Sequence, residues 1–282
     1  MINYTPINEY IGIRLNHSYD EIMSFTNDEL QNLLYTYKII LIKNWNNLSP
    51  TQIVNFSKKF GDIWTDQLYK RFQENVAYDD NGTPYSIYNN QLWKRLSGEL
   101  PWHTDVANEP GCERYPSRLL YCTELPSHYI GLQTEVSNMA FAYNELSESD
   151  KDFYSSVYFT HQSWQKVGTN LIDLPAIGVH PYTGEKFLRL NRVGSSLGWI
   201  TQWYKVNNDN TRSCYNIVSL DEIVTKLSEQ YKYSHNWEVG DVLIFSNWAT
   251  VHRKGLGTIY DDSTGARSFI RLTINPGFNI VA

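Results

Sequence analysis

Apolar positions near the start of the chain follow two spacings, and each spacing predicts an element. Leu30, Leu33 and Leu34, and then Ile53, Val54, Phe56 and Phe60, recur at intervals of three and four. Residues 27–37 and 49–60 are therefore predicted helices, with Thr26 and Ser49 placed to cap them. Between them Ile39-Ile40-Leu41-Ile42 has no polar position and predicts a buried strand. A third helix is predicted over 140–158, with a break near Asn144, Glu145, Ser147 and Asp150, and a fourth over 221–230. Towards the C-terminus the period becomes two. Ser268, Ile270, Leu272 and Ile274 share one face of a predicted strand, and Arg267, Phe269, Arg271 and Thr273 share the other. Much of the remainder alternates short strands with turns such as Asp80-Asn81-Gly82 and Thr183-Gly184. This suits a mainly β fold in which two sheets close into a barrel flanked by helices. No repeat, low-complexity run or long linker interrupts the pattern, so residues 1–282 are expected to form one domain.

The last strand carries the first chemical signal. Two arginines on the inward face of an apolar strand are costly to bury without anionic partners, so an anion is expected there. A guanidinium fork grips a carboxylate through two parallel hydrogen bonds, which suits a small diacid held by its far end. The second signal is Trp102-His103-Thr104-Asp105. On a strand, His103 and Asp105 would leave the same face while Thr104 points away, and His252 would add a second imidazole. Two histidines and one carboxylate fill three coordination positions and leave others open, as in non-heme Fe(II) oxygenases. The same ligand types also serve catalytic zinc, so a zinc hydrolase and a non-catalytic jelly-roll binding protein are the competing classes.

Composition narrows the partners. A net charge of -6 with no Lys/Arg cluster speaks against nucleic acid. Cys112, Cys122 and Cys214 are odd in number and form no Cys-x-x-Cys, which favours a reducing compartment over a disulfide framework. Met1-Ile2-Asn3-Tyr4-Thr5 shows no signal-peptide pattern, and the run at 39–42 is far too short to span a bilayer. A cytoplasmic protein that does not engage membranes is expected, with self-association into a homo-oligomer left open.

Several stretches together resemble the taurine dioxygenase (TauD/TfdA) family of Fe(II)/2-oxoglutarate-dependent dioxygenases. Leu48-Ser49-Pro50 through Phe60-Gly61-Asp62-Ile63 is similar to the family's early helix and Phe-Gly turn. Trp102-His103-Thr104-Asp105 matches its first two ligands, and Gly131-Leu132-Gln133-Thr134 its Gly-x-x-Thr. Gly178-Val179-His180-Pro181-Tyr182-Thr183-Gly184 with Leu188-Arg189-Leu190-Asn191 resembles its His-Pro-x-Thr-Gly hairpin. Trp237-Glu238-Val239-Gly240-Asp241 precedes the distal His252, and Arg267 and Arg271 follow it. The family's usual Asp-Asn-Arg stands here as Ser246-Asn247-Trp248, a change expected to bear on pocket lining.

The resemblance implies a double-stranded β-helix, the cupin-like jelly roll, and three co-reactants: Fe(II), 2-oxoglutarate and O2. It assigns the metal to His103, Asp105 and His252, and the distal carboxylate of 2-oxoglutarate to Thr134 and Arg267. The implied reaction oxidises a C–H bond, by default to an alcohol, with release of succinate and CO2. Desaturation, cyclisation or rearrangement can come from the same centre. Arg271 lies four strand positions from Arg267, about 13 Å at strand rise, and so offers a separate anion site for the primary substrate. Glu99 and the stretch 85–91, with Asn89, precede the ligand segment and are placed to meet an amine or amide. A small anionic or zwitterionic substrate, an amino acid or its derivative, is the expectation. The arginine pair and Thr134 argue against a hydrolase, which needs no diacid clamp.

Overall fold

A computed structural model describes residues 2–71, 75–89, 101–105, 117–162, 171–191, 200–255, 257–259 and 267–275. The chain begins with β1 (Tyr4–Pro6), β2 (Ile13–Leu15), α1 (Tyr19–Ser24), α2 (Asn27–Tyr37), β3 (Ile39–Ile42) and α3 (Pro50–Ser57). Next come β4 (Asp62–Ile63), α4 (Asp66–Arg71), β5 (Val76–Tyr78), β6 (Pro84–Asn89), β7 (Ser117–Glu124), β8 (Tyr129–Gly131) and β9 (Thr134–Asn138). The middle holds α5 (Met139–Asn144), α6 (Glu148–Ser155), β10 (Val157–Gln162), β11 (Leu171–Pro175), β12 (Ile177–Val179) and β13 (Lys186–Leu188). The last part holds β14 (Ile200–Val206), β15 (Arg212–Cys214), α7 (Ile217–Gln230), β16 (Lys232–His235), β17 (Val242–Phe245), β18 (Thr250–Lys254), β19 (Gly257–Ile259) and β20 (Ser268–Asn275).

The helix starts follow from capping chemistry. Thr26 and Ser49 each accept the N3 backbone N–H, while Glu29 and Gln52 reach back to the cap backbone, closing a capping box at both sites. α2 ends at Lys38, whose left-handed backbone (φ 70°) turns the chain into β3. α3 stops at Ser57 rather than Phe60, because Lys58 to Phe60 form a tighter turn with Phe60 N–H bonded to the Ser57 carbonyl. The predicted helix over 140–158 is two helices and a strand. Asn138 and Ser147 each cap a separate start, and the β-branched and aromatic run from Val157 to Thr160 goes into β10. The fourth helix starts earlier than its predicted span, because Asn216 caps it at Val218.

Among the described residues, one large sheet runs β1-β2-β3-β17-β7-β20-β6-β5, with β4 added to β20; β2–β3 is a parallel pair, and the pairs along the rest are antiparallel. A second sheet, β16-β9-β18, faces it. The two meet through Val136 and Tyr233 on one side and Leu41, Leu243, Phe245 and Phe269 on the other. The opposite face of the large sheet, with Ile40, Ile42, Leu119, Ile244, Ile270, Leu272 and Ile274, is covered by Leu30, Leu34, Ile53, Val54 and Phe56 of α2 and α3. Two facing sheets with helices outside give the jelly-roll architecture. Alternation along β20 is thus real although both faces are buried. Its isoleucines and Leu272 pack under the helices, and Arg271, with Arg267 just before the strand, lines the space between the sheets. A third sheet, β11-β10-β14-β15, packs with α5 and α7 beside this core. No helix among the described residues is long and apolar enough to cross a membrane.

Candidate metal centre and co-substrate pocket

His103 and His252 meet as a single antiparallel bridge: His103 N–H donates to the His252 carbonyl at 3.0 Å, and His252 N–H to that of His103 at 2.8 Å. The pairing brings the imidazole centroids to 4.4 Å. Asp105 follows in a turn, so the expected strand is only this one bridge. The pairing satisfies His103, and the chain then turns instead of continuing the ladder. Thr104 is held on the far side, its N–H donating to Asn191 Oδ1 and its hydroxyl to the Thr250 carbonyl. That gives Asn191, at the end of the Leu-Arg-Leu-Asn motif, a structural task.

Asp105 Oδ1 lies 3.7 Å from His103 Nε2 and its Oδ2 lies 3.5 Å from His252 Nε2. One ligand atom from each of the three side chains falls within 4.8 Å of the others. The protonation pattern suits a metal. His103 Nδ1 contacts the Pro101 carbonyl at 2.9 Å, and a carbonyl can only accept, so Nδ1 carries the proton and the Nε2 lone pair faces the carboxylate. Burial, with His252 beside it, lowers the His103 pKa to about 4 and keeps the ring neutral at pH 7. Burial opposes the charge of Asp105, yet the Arg118 guanidinium, with His252 and Arg271, holds its carboxyl well below the usual range. Neutral imidazole and ionised carboxylate are the forms that bind a divalent ion.

The three side chains line a cleft between the sheets. At one end Thr134 opens β9 opposite Lys254, and its hydroxyl accepts from Trp237 Nε1 at 3.0 Å. Arg267 is buried there, donating to the Leu132 carbonyl at 2.8 Å and lying over the Phe269 ring, against which Trp237 also packs. Gly131 and Leu132 both have positive φ, 73° and 65°, and this turn brings the Leu132 carbonyl to Arg267. Arg271, also in the lining, approaches Asp105 Oδ2 to 3.6 Å and covers the Tyr88 ring. The two arginines thus line one cleft with different neighbours. Glu135 is engaged by Lys232, Ser234 and Arg253.

Two lining residues escaped the sequence reading. Lys254 sits two positions beyond His252 on β18, hence on the same inward face, and burial with the neighbouring Arg267 lowers its pKa. Arg118 donates from Nε to Asp105 Oδ2 at 2.7 Å. Its signal was of the kind used for the last strand, here a single arginine within the apolar run Ser117-Arg118-Leu119-Leu120-Tyr121. Asn89 closes β6 opposite Ser268; its side chain, and Glu99 altogether, lie outside the described residues. Residues 246–248 do not line the cleft: Trp248 packs in the neighbouring core, while Asn247 donates to the Asp105 carbonyl at 2.9 Å.

The family profile described as "Taurine catabolism dioxygenase TauD, TfdA family" matches residues 3–273. The chain belongs to the TauD/TfdA family. Among characterised members it is 24% identical to an alpha-ketoglutarate-dependent sulfate ester dioxygenase of Pseudomonas putida, over 86% of this chain and 79% of that protein. It is also 24% identical to the alpha-ketoglutarate-dependent 2,4-dichlorophenoxyacetate dioxygenase of Burkholderia sp. (strain RASC), over 84% of this chain and 81% of that one. In fold it is similar to a taurine dioxygenase from Burkholderia xenovorans (TM-score 0.69, 20% identity, 98% of this chain and 89% of the other). It is also similar to AAD-2 in complex with Mn(II) and N-oxalylglycine (TM-score 0.67, 17% identity, 100% of both chains). This TauD/TfdA protein is an Fe(II)- and 2-oxoglutarate-dependent dioxygenase that uses O2, built on the family's cupin-like jelly roll.

Proposed function

We propose that His103, Asp105 and His252 hold the iron, that Thr134 and Arg267 hold the distal carboxylate of 2-oxoglutarate, and that Arg271 receives a small anionic or zwitterionic substrate, an amino acid or its derivative. The observation that carries this reading is the grouping of His103, Asp105 and His252, with one ligand atom of each within 4.8 Å of the others, in a cleft that Thr134, Arg267 and Arg271 also line. When bound, the iron centre supplies the O2-dependent decarboxylation of 2-oxoglutarate to succinate and CO2 and the oxidation of the substrate.

The protein's share is placement. Arg267, backed by Phe269 and Trp237, offers a fixed fork to the diacid, so the keto acid points its other end at the triad. Arg271 beside Asp105 orients the anionic group of the substrate with its target carbon towards the metal. An ammonium in a zwitterionic substrate needs an acidic or amide partner, the role the sequence gives to Glu99 and Asn89. Hydroxylation is the proposed outcome.

The test is a panel for substrate-stimulated succinate formation with Fe(II), 2-oxoglutarate and O2, beginning with free amino acids. Sulfonates, sulfate esters and aryloxyacetates, the last two being compound classes named for the relatives, complete it. Compounds that carry a carboxylate, sulfonate or sulfate group should stimulate turnover and yield a product heavier by one oxygen. Stimulation only by compounds that lack any anionic group would sink the substrate reading. Intact turnover in His103→Ala or His252→Ala would sink the ligand assignment.

A further inference from the structure

We infer that Arg118 is a positioning residue for the metal centre, fixing the orientation and donor strength of the Asp105 carboxylate. This rests on the reading of Asp105 as a metal ligand. The two histidines are tied to each other through backbone hydrogen bonds, but Asp105 lies beyond that bridge, in a turn. Asn247 anchors its carbonyl, which fixes the main chain and leaves the carboxylate to rotate. Among the described contacts to that carboxylate, Arg118 Nε at 2.7 Å is the shortest; His252, Arg271 and His103 stand at 3.5, 3.6 and 3.7 Å.

Arg118 itself has little freedom. It is 3% exposed, in a strand paired on both sides by β17 and β20. Its other arm reaches the Thr273 hydroxyl, and its guanidinium lies over the buried Trp64 ring, whose indole is anchored to Asn275. A rigid donor on Oδ2 holds the carboxylate in one rotamer and leaves Oδ1 as the less encumbered oxygen. A charge-assisted hydrogen bond also draws electron density from the carboxylate, so the metal it binds is less electron-rich.

Arg118→Met and Arg118→Lys are compared with the wild-type full chain by Mn(II) titration and by the visible charge-transfer absorption of the anaerobic Fe(II)–2-oxoglutarate complex. Near-ultraviolet circular dichroism verifies folding. Arg118→Met is expected to weaken Mn(II) binding by about ten- to a hundredfold, the usual effect of losing a partner that orients a ligand. Its absorption should move to longer wavelength, because the freed carboxylate is the stronger donor. Arg118→Lys keeps the charge but loses the Nε donor and should show both changes in smaller measure; it carries the test if the methionine variant does not fold. A folded variant with wild-type Mn(II) affinity and an unmoved absorption overturns the inference. Failure of the wild type to bind either metal would instead overturn the ligand assignment, so the two failures are separable.

Discussion

Arg267 and Trp237 show how a side chain acts through its surroundings. Removing one member of a buried ion pair strands the other, a loss of about 3 to 5 kcal/mol, so Arg267→Ala should weaken 2-oxoglutarate binding by roughly a hundredfold to several thousandfold. Arg267→Lys should recover part of it without the fork. Calorimetric titration under nitrogen reads both, and an unchanged affinity in Arg267→Ala would move the clamp elsewhere. Trp237 does not line the cleft, yet it donates to the Thr134 hydroxyl and packs on Phe269 beneath Arg267. Trp237→Phe should therefore raise the KM for 2-oxoglutarate by about fivefold, the worth of roughly 1 kcal/mol for one hydrogen bond, and leave kcat near wild type. A fall in kcat at constant KM would contradict that role. The residue types and order of His103, Asp105, His252, Thr134 and Arg267 marked them in the sequence, and the structure gathers them in one cleft. Arg118 was marked only as an arginine in an apolar strand and Trp237 only as part of a motif; their ties to Asp105 and Thr134 appear once the fold brings those partners together.

Elements were most legible where local chemistry decides them. The starts of α2 and α3 are hydroxyl caps followed by Glu or Gln three residues on, and both were readable. In the stretch after Ala140 the break near Ser147 was readable, but the strand that follows was not, because the predicted helix ran on into Val157 and Tyr158. Ser49→Ala should lower stability by about 1 kcal/mol and the melting temperature by about 2 to 4 °C, read from a thermal melt. The hairpin β12–β13 is more demanding. A Cβ on Gly178 would sit 2.5 Å from the Phe187 ring on the paired strand. Gly178→Ala should cost about 1 to 3 kcal/mol through overpacking, a larger drop than that of the cap variant. A melt no lower than that of Ser49→Ala would show that the Phe187 ring moves aside freely.

Across the whole molecule, acid should act through buried histidines. Burial, with the nearby Arg189 charge, lowers His161 to about 3, and burial with Lys38 lowers His180 to about 3. His180 Nδ1 accepts the Tyr182 and Thr183 backbone N–H groups, which requires it unprotonated. Because the folded pKa values lie below the unfolded value near 6.5, the unfolded chain binds more protons between those limits. The stabilisation is complete above about pH 6.5 and declines as pH falls, by about 1.4 kcal/mol per unit for each histidine, or about 3 together. Urea midpoints at pH 7, 6 and 5 should fall accordingly, and a flat profile would contradict it. The bridge between His103 and His252 joins positions 149 apart (252 − 103), and it also joins two layers: His252 belongs to β18 of the smaller sheet, while Asp105 is fastened through Arg118 to β7 of the larger one. A metal seated between them is therefore a staple through the sandwich as well as a reagent, and chelating it should let the two sheets part more easily.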